Sequence, residues 1–488
     1  MGAEDLNELL AADSVSAATS SPNGYSLDLM ALESRYPGIV FVVVLLARLD
    51  LAVGLEQVCK TAEDRSLDRG RFPATEELLQ DLVHKKLSPG VVFGVTRKDE
   101  TFISSAGAYT EHSLFRICSM TKPLVSAAAM MLVEAGVLNL ATPVHNFLPA
   151  FENPRVIELC VGEEGEECGE EGYRLVPARS NITIEHLLTH RSGLTYRMYS
   201  YFGKTDPIWQ IASRLYADAG VLDGCKEHLE ELSQEENVNR LAELPLVTHP
   251  GEESEYGLST DVLGRVLELA TGESLDVLLR QRLLDPLGMN DTTFYLDPAD
   301  ISRVSRLAPI FHQDGVPAPE KCLESSNAPS WCRNAHTYFT NGPKRLLSGG
   351  CGLLSTVHDY LKFVRMLLAE GVSADGTRIL SRRTVHAMTQ ENRLIEGDSP
   401  GRSFNRPRPA YGFGLGGVQV KLKVDANTLN GLQSFGWPGL HMTNFVVDPV
   451  EGYAGVILTQ NHGFSQLSKK VNPLVFEQFF TLVTNLIL

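Results

Sequence analysis

The stretch LFRICSMTKPLVSAAAMMLVEAGVLNL, residues 114–140, contains the tetrad Ser119-Met120-Thr121-Lys122, the only S-x-x-K pattern in the chain. The alanine-rich run that follows predicts a helix that is buried on almost every face and ends at Gly136. Residues three apart on a helix share a face, so Ser119 Oγ and Lys122 Nζ can meet. The pattern therefore predicts a nucleophile and its base at the start of a buried helix.

The chemistry of this pair depends on the protonation state of the lysine. Serine is a weak nucleophile near neutral pH and needs a base beside it. A lysine can act as that base only when it is neutral, and burial favours the neutral form. The helix N-terminus also favours a developing alkoxide or oxyanion. Without its setting, however, an S-x-x-K pattern fits a helix cap and a solvated lysine equally well.

The composition excludes some classes of partner and site. The chain of 488 residues has 43 basic and 60 acidic residues and a net charge of -17, which argues against nucleic acid as the main partner. The eight cysteines form no C-x-x-C pair, so a zinc site or a thioredoxin-type motif has no support. Attack by a serine that a lysine activates needs no metal or organic cofactor, so none is expected. We interpret them as mostly reduced thiols, with a bond between Cys160 and Cys168 or between Cys322 and Cys332 left open.

The pattern along the chain predicts an N-terminal extension, residues 1–72, that is poorly ordered or loosely docked, and one catalytic domain, residues 73–488. A helical subdomain is expected at about 123–345. The acidic N-terminus resembles neither a signal nor a transit peptide, and the apolar run 38–47 has about half the length that spans a bilayer. These features predict a cytoplasmic protein with no membrane span.

The predicted elements suggest one sheet built from both ends of the chain. Strands are expected at 91–97, 100–107, 443–449 and 453–461, and helices at 75–86, 184–190, 259–272, 274–288 and 476–488. Most segments between about 150 and 345 look helical. Two stretches look like inserted loops: 161–172, which is acidic and glycine-rich, and 395–409, which is proline-rich.

The segment around Ser119 resembles the nucleophile region of the serine β-lactamase and penicillin-binding-protein superfamily. The resemblance continues in order along residues 74–488 and is closest to the class C β-lactamase-like branch, which includes carboxylesterases and acyltransferases. It implies an α/β fold with an antiparallel sheet flanked by helices, an inserted mainly helical subdomain, and the active site between them. The further matching blocks are ITIEHLLTHRSGLTY (182–196), PGEESEYGLSTDVLGRVLELATG (250–272), DPLGMNDTTF (285–294), SGGCGLLSTVHDYLKFVRMLL (348–368), YGFGLG (411–416) and FGWPGLHMTNFVVDP (435–449).

The resemblance also implies the remaining site residues. Tyr256 opens a Y-x-x triplet and would share the serine proton with Lys122. Leu258 stands where β-lactamases have an asparagine, which puts β-lactam hydrolysis in doubt and suits an esterase. His190-Arg191-Ser192-Gly193 is a structural turn in the family, so we interpret Ser192 as a capping residue.

The third element of β-lactamases, K-T-G, is matched by Trp437-Pro438-Gly439, which is similar to the W-G-G form of the esterase branch. The oxyanion hole implied by the resemblance consists of the N–H groups of Ser119 and Leu440. Pro438 has no N–H, but the implied donor lies two residues on. His441 is a candidate for lining the pocket. No lysine is left here to bind a substrate carboxylate.

Together these features predict a serine hydrolase that cleaves ester, or amide, bonds of a small molecule through an acyl-enzyme on Ser119. No G-x-S-x-G motif is present, so an α/β-hydrolase is not expected. An acyltransferase acting on a small metabolite, a D-amino-acid peptidase or β-lactamase, and a non-catalytic scaffold with the same fold remain alternatives. The oligomeric state is left open.

Overall fold

The structure, a computed structural model, describes residues 72–160, 172–197, 206–224, 232–310, 344–394, 411–423 and 431–461. Outside these ranges lie all but the last residue of the predicted extension, the apolar run 38–47, the insertion 395–409 and the helix expected at 476–488. The boundaries of the extension and of the helical subdomain therefore stay predictions.

A seven-stranded antiparallel sheet is the centre of the described fold, with the strand order β2-β1-β11-β10-β9-β8-β7. Strand β1 pairs with both β2 and β11, so the two ends of the chain meet in one sheet, as predicted. Two small two-stranded sheets pair β3 with β6 and β4 with β5. The strands are β1 Gly90–Arg97, β2 Glu100–Gly107, β3 Phe115–Arg116, β4 Arg155–Leu159, β5 Tyr173–Pro177, β6 Leu354–Ser355, β7 Tyr411–Phe413, β8 Gln419–Lys421, β9 Phe435–Gly436, β10 Asn444–Asp448 and β11 Tyr453–Leu458.

The described α-helices surround this sheet and build the region between β3 and β6. Within the described ranges, every helix is too short or too polar to cross a bilayer. The helices are α1 Phe72–His84, α2 Thr121–Glu134, α3 Ile184–Leu188, α4 Pro207–Asp218, α5 Gln234–Ala242, α6 Ser259–Thr271, α7 Leu275–Leu279, α8 Asp285–Leu287, α9 Ile301–Val304, α10 Val357–Leu368 and α11 Arg382–Thr389.

The two faces of the sheet are covered by different helices because alternate side chains of a strand point to opposite faces. On one face, Leu79 and Leu82 of α1 pack with Phe93 of β1 and Ile457 of β11. Helix α10 contacts β1, β10 and β11 and packs in the larger core cluster with Val92. The result is a helix–sheet–helix arrangement, which agrees with the predicted fold class.

Helix α2 is buried on almost every face, as the sequence predicts. Residues 121–130 are all buried, and the helix ends at Glu134, two residues before Gly136, which has a φ of +72°. A single 3₁₀ turn, Cys118–Met120, leads directly into the helix and carries Ser119. The core of the protein therefore fixes the position of the S-x-x-K tetrad.

The region expected to be mostly helical contains one unexpected element, the hairpin of β4 and β5. Val156 and Ile157 are buried, and Ile157 N–H donates to the carbonyl of Leu246, so packing against the helical region stabilises this strand. The acidic insertion lies between the two strands in sequence, and its residues 161–171 fall outside the described ranges.

The helix expected at 274–288 is interrupted. Helix α7 ends at Leu279 and is followed by a π-helical turn, Arg280–Leu284, and by α8. Pro286 in α8 has no N–H to donate to a carbonyl in the preceding turn, which favours irregular winding there. The sequence predicts the position of this element but not the change in its winding.

The described cysteines correct one expectation. Cys118 is a free, buried thiol, but Cys160 and Cys351 are disulfide-bonded. The disulfide at Cys351 departs from the prediction of mostly reduced thiols, whereas a bond at Cys160 is one of the two that the sequence left open. Cys168, the partner considered for Cys160 from the sequence, lies outside the described ranges, as do Cys322 and Cys332.

Candidate active site

The turn that carries Ser119 has a constrained backbone. Cys118 has a φ of +47°, in the left-handed region that residues other than glycine rarely adopt. The N–H of Ile117 donates to the carbonyl of Leu353 at 3.1 Å, and Met120 N–H donates to Ile117 O at 3.1 Å. These bonds hold the turn, and such strain costs about 1–3 kcal/mol and is concentrated at functional sites. Ser119 itself is 9% exposed.

Lys122 is completely buried, and its side-chain nitrogen contacts three oxygen atoms. Nζ lies 3.4 Å from Ser119 Oγ, 2.9 Å from the hydroxyl of Tyr196 and 2.8 Å from the carbonyl oxygen of Gly350. The structure thus brings together the serine and lysine that the sequence singles out. Tyr196 and Gly350 were not identified as site residues, although both lie in blocks that carry the family resemblance.

Tyr256 lies in the same cluster, on the turn before α6. The centre of its ring is 4.7 Å from Lys122 Nζ, within the range of a cation–π contact. Its hydroxyl accepts a hydrogen bond from Trp437 Nε1 at 3.2 Å. Two residues implied by the resemblance, Tyr256 and Trp437, are therefore in direct contact with each other, and Tyr256 lies next to Lys122.

An aromatic wall borders the pair of Ser119 and Lys122. Tyr196 packs edge-on against Tyr256 with ring centres 5.4 Å apart, and the Tyr256 and Trp437 rings are 5.2 Å apart. Phe413 completes the wall, 5.3 Å from Trp437. The surroundings of the nucleophile are therefore mainly apolar, with a few polar atoms directed at Lys122.

His190, which the sequence analysis assigns to a structural turn, is a further buried group beside the site. Its ring packs 4.8 Å from that of Tyr256 and 5.7 Å from that of Phe413. Burial, and then the charge of Lys122, hold the pKa of His190 well below its ordinary value. Neither ring nitrogen has a hydrogen-bond partner among the described residues. Ser192 instead bonds to Ser259 Oγ at 2.8 Å, in keeping with the structural role expected for this turn.

Gly439 brings the segment that follows β9 against the nucleophile turn. Its N–H donates to the carbonyl of Thr443 at 2.7 Å, and Thr443 Oγ1 donates to the carbonyl of Ile117 at 3.3 Å. A Cβ at position 439 would collide with both Thr443 Oγ1 and Ile117 O. Only glycine allows this close approach, whereas Pro438 beside it is exposed.

The amide of Leu440, implied as an oxyanion-hole donor, lies next to Cys118, the residue before Ser119. The backbone N–H groups of Leu440 and His441 interact with the thiol of Cys118. Burial raises the pKa of that thiol to about 12, against the lowering effects of Arg116 and of these two amides. His441 is buried rather than on the surface, and its carbonyl accepts from Thr459 Oγ1 at 2.9 Å.

Two further features bear on the chemistry of the site: the side chain at position 258 and the possible metal ligands. Leu258 is fully buried in the main hydrophobic core, so no polar group replaces the asparagine that β-lactamases have at this position. Within the described ranges, no group of three or more His, Cys, Asp or Glu side chains is arranged to hold a metal ion.

A family model for β-lactamase matches residues 75–478. The chain belongs to this β-lactamase family. Esterase EstB of Burkholderia gladioli is 30% identical over 359 residues, which cover 72% of this chain and 78% of EstB. Monacolin J acid methylbutanoyltransferase of Aspergillus terreus is 29% identical over 349 residues, 69% of this chain and 74% of the transferase. These relatives support a serine hydrolase.

Solved structures show the same fold. EstCE1, described as a hydrolase with promiscuous acyltransferase activity, superposes with a TM-score of 0.64 at 24% identity and covers 85% of this β-lactamase-family chain and 99% of its own. Unliganded simvastatin synthase LovD from Aspergillus terreus has a TM-score of 0.64 at 23% identity, with coverages of 85% and 98%. At these identities the likeness establishes the architecture alone.

Proposed function

We propose that the protein is an esterase that forms an acyl-enzyme on Ser119. The observation that carries this proposal is the position of Lys122 Nζ, fully buried and 3.4 Å from Ser119 Oγ. A buried amine at this distance from a hydroxyl is the arrangement that activates a serine nucleophile.

In the first step, Ser119 Oγ attacks the carbonyl carbon of the ester and its proton passes to the pair of Lys122 and Tyr256. The carbonyl electrons move onto oxygen, which the N–H groups of Ser119 and Leu440 stabilise. The thiol of Cys118 is a weak acceptor, so a charged oxygen competes well for the Leu440 amide. When the tetrahedral intermediate collapses, the bond to the alkoxide breaks and the leaving group takes the proton from the pair.

In the second step, a water molecule or another alcohol loses its proton to the same pair and attacks the acyl carbon. Collapse of this second intermediate breaks the bond to Ser119 Oγ, which recovers its proton. The acid that forms with water, or the new ester that forms with an alcohol, then leaves. The same groups serve both directions of proton transfer.

The substrate we propose has an uncharged, apolar acyl group. Trp437 stands where β-lactamases have a lysine, and Leu258 where they have an asparagine, so neither position offers a polar contact to a penicillin-like acid. The aromatic wall of Tyr196, Tyr256, Trp437 and Phe413 instead provides apolar surface. The similarity to EstB supports an ester substrate.

The proposal is tested with the Ser119→Ala variant. We expect it to lose turnover of p-nitrophenyl butyrate and labelling by a fluorophosphonate probe, while its far-UV circular dichroism stays unchanged. Ser126→Ala is the matched control, because Ser126 is a buried serine on helix α2, which directly follows the turn that carries Ser119. Full labelling of the Ser119→Ala variant would refute the assignment of the nucleophile.

Acyl transfer is the second candidate, favoured by the likeness to the methylbutanoyltransferase. The two activities differ only in the nucleophile that attacks the acyl-enzyme, which is water in hydrolysis and an alcohol in acyl transfer. Product analysis in the presence of increasing concentrations of a primary alcohol separates them: a hydrolase releases mainly acid, and a transferase mainly the new ester.

A further inference from the structure

We propose that Asp261 is a positioning residue for Lys122, acting through Gly350 to place the lysine and to stabilise its positive charge during proton transfer. The inference rests on the proposed function of Ser119 and adds a residue that no motif identifies. Asp261 lies in the first turn of α6, five positions after Tyr256.

The carboxylate of Asp261 is buried and holds the segment around Gly350. Oδ1 accepts a hydrogen bond from Ser348 Oγ at 2.6 Å and one from the N–H of Gly350 at 3.3 Å. The carbonyl of Gly350 in turn accepts from Lys122 Nζ at 2.8 Å. Gly350 thus connects the Asp261 carboxylate, through its N–H, to Lys122, through its carbonyl.

The absence of a side chain at position 350 brings the two charged groups close together. A Cβ there would collide with Asp261 Oδ2 and lie 3.4 Å from Lys122 Nζ. The two groups are therefore within about 6 Å of each other, a range in which opposite charges stabilise one another. Oδ2 is buried and has no hydrogen-bond partner among the described residues, so the nearby positive charge is its main compensation.

The arrangement resembles an ion pair split by a peptide group. Burial raises the pKa of Asp261, and Lys122, Ser348 and Gly350 each oppose that rise. A buried carboxylate is costly unless it is paired with a positive charge. The negative charge of Asp261 and the positive charge of Lys122 therefore stabilise each other. The carboxylate has no direct path to a substrate, and for that reason we describe it as positioning rather than catalytic.

The net charge of the Lys122–Tyr256 pair decides in which direction the pH profile moves when the charge of Asp261 is removed. Loss of a proton takes the pair of Lys122 and Tyr256 from one positive charge to neutral, whichever of the two then holds the remaining proton. A negative charge on Asp261 favours the positively charged form of this pair. Removal of the Asp261 charge therefore makes the pair lose its proton at lower pH. The other titratable groups facing Lys122 are Cys118, Tyr196 and His190.

The test is the pH dependence of fluorophosphonate labelling in the Asp261→Asn variant. The amide keeps an acceptor for Ser348 and Gly350 but removes the charge. We expect the acidic limb of the profile to move to lower pH by about one unit, and the plateau rate to fall by about tenfold, because the ammonium ion formed in the transition state loses a stabilising neighbour.

Asp359→Asn is the matched control. Asp359 is also buried and accepts from Thr292 Oγ1 at 3.0 Å and from Asp291 N–H at 2.7 Å, but its neighbouring cation is Lys362. Its variant should lose stability and keep the wild-type pH profile. If the acidic limb of the labelling profile moves equally in Asp261→Asn and Asp359→Asn, the effect is a general structural one and the proposal is overturned.

Ser348→Ala covers the case in which Asp261→Asn does not fold. Loss of this donor weakens the ionised form of Asp261, so the acidic limb should move in the same direction by a smaller amount. If the wild type is labelled and folded variants keep its profile, the role of Asp261 is refuted while the proposed function stands. If the wild type itself is not labelled, the proposed function fails first.

Discussion

Lys122 donates a hydrogen bond of 2.9 Å to the hydroxyl of Tyr196, while the ring of Tyr256 lies 4.7 Å from the same nitrogen. The sequence pointed to a pair of Lys122 and Tyr256. The structure surrounds the lysine with two tyrosines, the serine and a carbonyl, so its position is fixed by three separate parts of the chain. This geometry leads to the following predictions.

Replacement of Lys122 by methionine removes the amine and keeps a flexible apolar chain that fills the buried space. We expect the fluorophosphonate labelling rate to fall by about 10²–10⁴-fold, the usual contribution of a general base. The protein should still fold, because the change takes a buried charged group out of the core. A labelling rate within a few fold of the wild type would contradict the role of Lys122.

The two tyrosines are distinguished by removing one hydroxyl at a time. We expect Tyr256→Phe to slow acylation by about 10²-fold or more, since it removes the partner that shares the serine proton. Tyr196→Phe should have a smaller effect of about tenfold, because Lys122 keeps its bonds to Ser119 and Gly350. Pre-steady-state labelling rates measure both. The reverse order would assign the proton to Tyr196.

A side chain at position 439 should damage the site and the fold together. Gly439→Ala forces the segment after β9 away from Ile117 and Thr443, and we expect it to cost about 1–3 kcal/mol of unfolding free energy. The labelling rate should fall as well. Gly272→Ala is the control: it adds the same methyl group at a left-handed position with nothing within 4 Å, so only stability should change.

His190 should make the protein sensitive to acid. Because the pKa of His190 is lowered in the folded state, the unfolded chain binds its proton first as the pH falls below about 6.5, and stability is lost from there down to the folded pKa. His186, whose pKa is lowered to about 4 mainly by burial, acts in the same direction.

We therefore expect His190→Phe to flatten, but not abolish, the loss of stability between about pH 6.5 and pH 4. The slope should decrease by up to about 1.4 kcal/mol per pH unit, the value for one proton. Urea denaturation at several pH values measures it. An unchanged slope in the His190 variant would contradict the prediction.

Local patterns predicted the parts of the fold that depend on periodicity. The apolar run of β1, which is buried except at its last residue, and the apolar run of α2 are both visible in the sequence, and so is the tetrad that places Ser119 and Lys122 on one face. The resemblance added Tyr256 and Trp437, which the structure places in contact with each other.

Long-range contacts could not be predicted in the same way. Lys122 and Gly350 are 228 positions apart, and nothing local to Asp261 shows that its carboxylate faces the same glycine. The left-handed backbone of Cys118 also has no sequence signal, because it is not a glycine and surrounding hydrogen bonds impose it. The hairpin of β4 and β5 depends in part on a contact with Leu246 that lies outside its own sequence.

We propose that the buried amine of Lys122 turns the hydroxyl of Ser119 into the acyl acceptor. The most direct measurement is intact-mass spectrometry with peptide mapping after brief exposure to p-nitrophenyl esters, amides and β-lactams. We expect one acyl group per chain, from the esters, on the peptide containing residue 119, and none in the alanine variant. An adduct on another residue, or no adduct from any ester, would contradict the account.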